Sequence, residues 1–399
     1  MTGTVRTFSP RIEEVLAAGE PTPFVVLDLD VVATRYRELL AALGGTPLFY
    51  AVKANPHPDL VALLVELGCS FDVASWGEVE LCREAGAAAD RMSFGNTIKR
   101  RNDIAAAFEL GIRHFAIDAP AELDKVLAVA PGSTVVARLL FEGIGAAWPL
   151  SRKFGCETDQ VVDLLVRAAA GGLGTGLSFH VGSQQLRPDA WDEALAEVAK
   201  VIGRLADRGV EIDVVNLGGG FPSPYDSPIP GVVDYGVAIR TAIDRHLAPT
   251  NARIIAEPGR ALVGDAGVIQ SEVLLVARKS PADDVRWVYL DVGVFTGLIE
   301  SMGEAIRYPL RTPRDGGPTG PCVLAGPTCD SIDILYEEHP PQLPLDLAEG
   351  DLVELASTGA YTAACSSIGF NGFPPLRTIV LPATSSTTRS ARLTAPGPG

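Results

Sequence analysis

From Phe24 onward, short apolar runs rich in β-branched residues alternate with stretches whose apolar positions recur at helical spacing. The runs predict strands at Phe24–Leu27, Pro47–Val52, Phe71–Ala74, Met92–Phe94, His114–Ile117, Thr134–Leu140, Leu177–Phe179, Ile212–Leu217 and Arg253–Ala256. Helical patterns lie between them, among them Val31–Leu43, Asp59–Leu67, Trp76–Ala85 and Ala190–Arg208. Such alternation implies parallel strands joined by right-handed crossovers. Eight units after one leading strand suit a closed (β/α)8 barrel, although alternation alone also allows an open doubly wound sheet.

The strand ends favour the barrel. Lys53 follows the second strand and Asp72 lies in the third. Asn96, Asp118, Arg138, His180, the run Gly218-Gly219-Gly220, and Glu257 with Arg260 come at or after later ones. A barrel gathers all these ends on one face, where active sites are built, whereas an open sheet would spread them along an edge.

After Leu262 the texture changes. Strands at Val268–Ala277, Val285–Leu290, Cys322–Ala325 and Leu352–Leu355 have no long helices between them, and the loops are rich in Pro, Gly and Asp. This predicts a C-terminal antiparallel β domain. The expected organisation is an N-terminal segment over 1–23 that adds a strand to the β domain, a barrel over 24–262, a β domain over 263–382 and a disordered tail over 383–399.

Composition narrows the function. The 399 residues exceed one ordinary core and suit a barrel plus a smaller domain. The apolar runs are too short to span a bilayer, and the N-terminus lacks a signal-peptide pattern, so a cytoplasmic location without membrane contact is expected. A net charge of −16 disfavours nucleic acid and mildly favours cationic small molecules, although acidity also simply maintains solubility. The six cysteines include no CxxC pair, so neither a disulfide framework nor a zinc site is expected.

Several residues then carry candidate chemistry. Lys53, in Tyr-Ala-Val-Lys-Ala-Asn-Pro, is either a surface lysine or one drawn into the barrel mouth. In the mouth, desolvation is expected to lower its pKa and make it nucleophilic toward aldehydes. The glycine run lets backbone N–H groups approach a phosphate, with Arg260 as counter-charge, but glycine runs also make plain tight turns. Neither GxGxxG nor GxxxxGK[ST] is present, which argues against dinucleotides and nucleoside triphosphates. Glu257 beside a phosphate site needs a cationic partner, and a protonated pyridine nitrogen is one. His180 has no second ligand at metal spacing, so it is a core histidine or a flat ring against a flat cofactor, and no metal is expected.

The segments YAVKANP (Tyr50–Pro56), FDVAS (Phe71–Ser75), GNTIK (Gly95–Lys99), SRKFG (Ser151–Gly155), HVGS (His180–Ser183), GGGFP (Gly218–Pro222), EPGR (Glu257–Arg260), GPTCD (Gly326–Asp330) and GAY (Gly359–Tyr361) occur in this order. Together they resemble the ornithine/diaminopimelate/arginine decarboxylase family of fold-type III enzymes that use pyridoxal 5'-phosphate (PLP). The resemblance implies that Lys53 carries the cofactor, Glu257 pairs with the pyridine nitrogen and His180 stacks on the ring. It implies that Ser183, Gly219, Gly220, Gly259, Arg260 and Tyr361 hold the phosphate end, with Tyr361 also near substrate, and that Asp72 sits close to Lys53. It further implies a homodimer with shared sites, in which Cys329 serves as proton donor and Asp330 faces substrate from the other subunit.

Two competitors share the fold. Alanine racemases resemble one another in placing arginine at the pyridine nitrogen, where this chain has Glu257. Antizyme inhibitors keep the fold without catalysis, whereas this chain retains Lys53, Glu257, Arg260 and Cys329. The substrate class implied is a basic L-amino acid, ornithine or lysine first, because GPTCD followed by Ser331 resembles basic-amino-acid decarboxylases, whereas diaminopimelate enzymes usually carry Glu directly after that Cys. The loop Asp291–Pro309 resembles the specificity segment of bacterial ornithine/lysine enzymes, which place an Asp near the Gly303 position against the distal ammonium. With Gly303 there, Glu300 and Glu304 are expected either to substitute or to lie on a solvated helix face. The departure keeps open meso-diaminopimelate or a modified amino acid of specialised metabolism.

Overall fold

The computed structural model describes residues 8–148 and 153–384. The predicted disordered tail, apart from Ala383 and Thr384, lies outside them, as do Ser151 and Arg152 of the SRKFG segment.

The N-terminal segment holds a helix, α1 (Pro10–Leu16), in place of the expected strand. Ser9 Oγ accepts the Ile12 N–H at 3.3 Å, and Pro10 occupies the first turn, where no N–H is needed. The strand that joins the second domain is instead β1 (Phe24–Asp28), which leads directly into α2 (Leu29–Ala42).

Eight parallel strands form the barrel: β2 (Phe49–Ala51), β3 (Ser70–Val73), β4 (Met92–Phe94), β5 (His114–Ile117) and β6 (Thr134–Arg138), then, past a two-stranded ribbon, β8 (Gly174–Ser178), β10 (Val214–Asn216) and β11 (Arg253–Ile255). The ribbon pairs β7 (Ala146–Trp148) with β9 (Ser183–Gln185), and nothing in the apolar pattern announces it. The barrel closes where the Phe49 N–H donates to Ala256 O at 2.8 Å and the Ala51 N–H to Pro258 O at 3.0 Å. Closure settles the barrel-or-open-sheet alternative. Most expected strands hold within a few residues. The seventh run is displaced toward Gly174 because Gly176 packs under β10: a Cβ there would sit 2.4 Å from Val214 Cγ1.

Helices coat the barrel with one apolar face each. In Ala190–Ala206 the buried positions are Ala190, Trp191, Ala194, Leu195, Val198, Val201 and Leu205, a stripe at helical period. Trp191 Nε1–H donates to Leu217 O at 3.2 Å, so its one polar atom is satisfied inside the core. No helix among the described residues is long and apolar enough to cross a membrane.

The second domain contains β12 (Gly267–Ala277), β13 (Arg286–Leu290), β14 (Leu310–Arg311), β15 (Thr319–Ala325), β16 (Ile334–Leu335), β17 (Gln342–Pro344), β18 (Leu352–Ala356) and β19 (Arg377–Leu381), together with β1. Its sheet is mixed, not purely antiparallel, since β1 runs parallel to β19 and β13 parallel to β15. The barrel boundary near residue 24 shifts accordingly: Phe24–Asp28 is hydrogen-bonded into this sheet, between β12 and β19. Its five side chains are all buried, with Val25 in the β-domain core and Leu27 in the barrel core.

Because Leu27 links the two cores from a strand of the smaller domain, Leu27→Ala should lower unfolding stability by about 2–5 kcal/mol. Denaturant melts read by circular dichroism check this, and a change well below that range would show that the junction collapses around the cavity.

Candidate active site

Lys53, Asp72, His180 and Glu257 sit in or shortly after barrel strands. The short 3-10 turn Val52–Ala54 follows β2 and carries Lys53, whose Nζ donates to Asp72 Oδ2 at 2.9 Å. Asp72 is opposite Ala51 in the β2–β3 register and nearly buried, and its Oδ1 has no hydrogen-bond partner. Gly95 makes room for it, since a Cβ there would lie 1.8 Å from Asp72 Oδ1.

The expected fall in the Lys53 pKa does not occur. Partial desolvation at the barrel mouth pulls it down, but the Asp72 carboxylate beside it more than offsets this, and the net shift is upward. The amine is thus held charged and aimed by Asp72, with the side chain still 52% exposed at the barrel mouth.

Glu257 follows β11. Asn216, at the end of β10, donates its Nδ2–H to Glu257 Oε1 at 2.6 Å. Burial first, then Asp72, raise the Glu257 pKa to about 8, against the pull of Lys53, Asn216 and Arg138. His180 follows β8, and its Nδ1 accepts the Gly182 N–H at 2.9 Å. Burial, with Arg138 and Lys53 nearby, holds its pKa well below the usual value, so the ring is neutral. Arg138, Ser178, His180, Asn216 and Glu257 line one cleft inside the mouth. Among the described residues no cluster of three or more potential ligands could hold a metal ion.

The glycine run lies against this cleft. A Cβ on Gly218 would stand 2.1 Å from Phe179 O, and one on Gly219 2.7 Å from Glu257 O and 3.2 Å from His180 Nε2. Gly218 and Gly220 also have φ values of +65° and +98°, which favour glycine. The N–H groups of Gly219 and Gly220 meet no acceptor among the described residues. Arg260 lies just beyond: its Nη2–H reaches Ser183 Oγ at 3.1 Å, and the guanidinium lies 4.9 Å from the Tyr361 ring centroid. The Arg260 Nε–H is buried without an acceptor. Tyr361 takes φ +55° and its N–H donates to Ala54 O at 2.8 Å, while burial raises its hydroxyl pKa and keeps it a donor. Gly259 leaves space between Ala54 and the Tyr361 hydroxyl, which would stand 3.0 Å and 3.3 Å from a Cβ there.

The remaining candidates come from the second domain. Cys329 is exposed, with its N–H on Asn371 Oδ1 at 2.9 Å, and Asp330 Oδ1 accepts the Ile332 N–H at 3.0 Å. Among the described residues neither is hydrogen-bonded to the Lys53 cluster. Glu300 and Glu304 are not free acids on a helix. Their segment, Ile299–Glu304, is a 3-10 stretch kinked at Met302 and Gly303. Glu304 accepts the N–H groups of Glu338 and His339 at 2.7 and 3.0 Å and pairs with Arg307 at 2.5 Å. Glu300 pairs with Arg260. Both carboxylates have internal partners, so neither lies on a solvated helix face. Sequence reasoning missed Asn216 as the support of Glu257 and Tyr225 as a partner of Arg260 at 2.7 Å. Their positions beside the glycine run, two residues before it and in the following PSPYD, were the available signal.

The family model for the pyridoxal-dependent decarboxylase, pyridoxal binding domain, matches residues 29–264. The chain belongs to the pyridoxal-dependent decarboxylases. It is 35% identical to a lysine/ornithine decarboxylase of Selenomonas ruminantium, over 92% of this chain and 91% of that protein. A crystal structure of lysine/ornithine decarboxylase from Vibrio vulnificus complexed with cadaverine is similar with a TM-score of 0.84 and 34% identity, covering 95% of this chain and 100% of that one. Antizyme inhibitor 2 of Xenopus laevis is 33% identical over 91% of this chain and 81% of its own, and is named as an inhibitor rather than an enzyme.

The raised Glu257 pKa has a measurable consequence. A carboxyl that titrates at 4.5 when exposed and at about 8 in the fold costs stability once pH passes 4.5, and the full cost is reached above about 8. Glu257→Gln removes that cost. Stripped of cofactor, the variant should be more stable than the parent at pH 9 by a few kcal/mol, since each tenfold loss of acidity on folding is worth roughly 1.4 kcal/mol. Most of that gap should be gone at pH 5. Equal melting temperatures at pH 9 would refute it.

Proposed function

We propose that this decarboxylase acts on a basic L-amino acid, ornithine or lysine first, and works as a homodimer whose sites combine residues of both subunits. The observation that carries the catalytic part is the joint placement of Lys53, Asp72, His180, Glu257 and Arg260 around one barrel mouth. PLP fits the groups present. The unpaired N–H groups of Gly219 and Gly220 and the buried Arg260 Nε–H are donors without acceptors, as a phosphate requires. The glycines form a cradle that a Cβ would fill. Glu257 is a buried carboxyl whose charged form gains from a cationic partner such as a protonated pyridine nitrogen.

When bound, PLP supplies the electron sink for the pair left behind as CO2 departs. The chain's residues do the rest. Lys53 would hold the cofactor through its Nζ, which Asp72 orients from 2.9 Å. Asn216 holds Glu257 Oε1 at 2.6 Å, and the carboxylate would pair with the protonated ring nitrogen of bound PLP. His180 offers a neutral flat ring that adds no positive charge against the cofactor. Ser183, Gly219, Gly220, Gly259, Arg260 and Tyr361 anchor the phosphate end. Cys329 Sγ of the second subunit returns a proton to the substrate Cα, and Asp330 beside it meets the substrate. Its exposure, with no hydrogen bond to the Lys53 cluster among the described residues, supports delivery in trans.

The substrate reading rests on the lysine/ornithine decarboxylases that the chain resembles and on its acidic field. With Glu300 and Glu304 engaged, Asp330 is the acidic group assigned to the distal ammonium. Gly303 takes φ +60°, is exposed and has no atom within 4 Å of an added Cβ.

Assays of CO2 release over L-ornithine, L-lysine, L-arginine and meso-diaminopimelate should show turnover of ornithine and lysine. If both are inert while another amino acid reacts, the basic-substrate reading falls. In the same assays Lys53→Ala should abolish turnover, and borohydride should fix PLP on Lys53 of the parent. Trapping on Lys99 or Lys153 would contradict the assignment.

Cys329→Ala should slow product formation by roughly 10²-fold or more. Mixing it with Lys53→Ala protein should restore part of the activity, because each hybrid dimer then holds one intact site. No recovery after demonstrated subunit exchange would mean that each site is built within one chain.

A further inference from the structure

Arg260 is paired more completely than an anchor for an incoming phosphate needs to be. Its Nη1–H groups reach Tyr225 Oη at 2.7 Å and Glu300 Oε2 at 2.7 Å, and its Nη2–H groups reach Ser183 Oγ at 3.1 Å and Glu300 Oε1 at 2.5 Å. Glu300 therefore chelates one edge of the guanidinium in a two-pronged ion pair. Both partners are shielded, with side chains 3% and 14% exposed. Glu300 comes from the second domain, 40 residues further along the chain. Its charge cancels the one buried arginine that borders both Ser183 and Tyr361.

A phosphate monoester brings close to two negative charges. It and Glu300 draw on the same cation even if they use different N–H groups, because charge interactions in a shielded pocket act over several ångströms. We propose that Glu300 is the internal counter-anion of Arg260 and, by opposing the phosphate of PLP, sets how tightly the chain retains its cofactor. This rests on the phosphate site described under the proposed function.

Removing the carboxylate has two effects of opposite sign. It takes away a tether from Arg260, which would weaken phosphate binding. It also leaves a buried cation without its charge partner, which strengthens binding of any anion that reaches it. The second effect is the larger here. Arg260 keeps Tyr225 and Ser183 as hydrogen-bond partners, and the Tyr225 and Tyr361 rings hold the guanidinium at 5.7 and 4.9 Å. Its orientation survives while its neutralisation does not. The carboxylate thus stabilises the protein stripped of PLP at the expense of cofactor affinity.

The test uses Glu300→Gln and Glu300→Asp proteins stripped of cofactor beside the parent. Melting temperature is read by scanning calorimetry, PLP affinity by absorbance titration, and inorganic phosphate affinity by titration calorimetry. The Gln variant should melt below the parent yet bind both PLP and phosphate at least about tenfold more tightly. The Asp variant, which keeps the charge but is too short for both prongs, should fall between. A merely structural role would lower melting temperature and affinity together, so unchanged or weaker binding by a folded variant overturns the proposal. If the Gln variant does not fold, the Asp variant is judged by the same criterion. A folded parent that binds neither probe would overturn the cofactor reading itself, and this inference with it.

Discussion

Closure of the parallel barrel is the constraint from which the rest follows. Parallel strands expose unpaired N–H and C=O groups at both edges of an open sheet, and here the last edge is removed by the bonds from Phe49 and Ala51 to Ala256 and Pro258. Once closed, eight strands deliver their C-terminal ends to a single ring. Residues as distant in sequence as Lys53, His180 and Glu257 then share one mouth, although no short stretch of chain contains the site. The strands there are only three to five residues long, so the side chain just past each end has few places to point.

Gathering so many ionisable groups in one place makes their charges interdependent. Lys53 is kept charged chiefly by the adjacent Asp72 carboxylate, while Glu257 is kept reluctant to ionise by burial and Asp72. His180 is neutral because burial is reinforced by two cations, Arg138 and Lys53. None of these states belongs to a residue alone. They describe a cluster whose donors and acceptors are only partly matched by protein, and the unmatched ones (Gly219 N–H, Gly220 N–H, Arg260 Nε, Asp72 Oδ1) have the character of a site for a ligand that carries its own charges.

The second domain is more than a lid on the barrel. Strand β1 enters its sheet before the chain begins the barrel, so both domains are stitched together at the N-terminal side. The Ile299–Glu304 turn then brings Glu300 down onto Arg260, and the loop carrying Cys329 and Asp330 is shaped by Asp333. The Asp333 carboxylate accepts the Val294 N–H at 2.7 Å, the Thr328 N–H at 3.1 Å and the Thr328 hydroxyl at 2.7 Å. The Arg260 side of the site is thereby coupled to a domain that supplies none of the barrel strands.

Periodicity and local chemistry determined a good deal from the sequence alone. Apolar runs alternating with helical stripes specify which residues face the core, and that pattern implied the barrel strands, several of the helices and the change of architecture after Leu262. Polar residues at strand ends, with a glycine run beside an arginine, marked Lys53, His180, Gly219, Glu257 and Arg260 as neighbours before any fold was known. What periodicity cannot specify is a partner. Phe24–Leu27 reads as a strand, yet only the folded chain shows it paired with Gly267–Gln270 and Arg377–Val380. Burial alone would lower the Lys53 pKa, and it rises instead because Asp72 Oδ2 stands 2.9 Å away. Glu300 reads as a free or solvated acid and proves to be chelated to Arg260. In each case an interaction through space outweighs the local propensity, and distances between segments far apart in sequence exist only once the tertiary structure has formed.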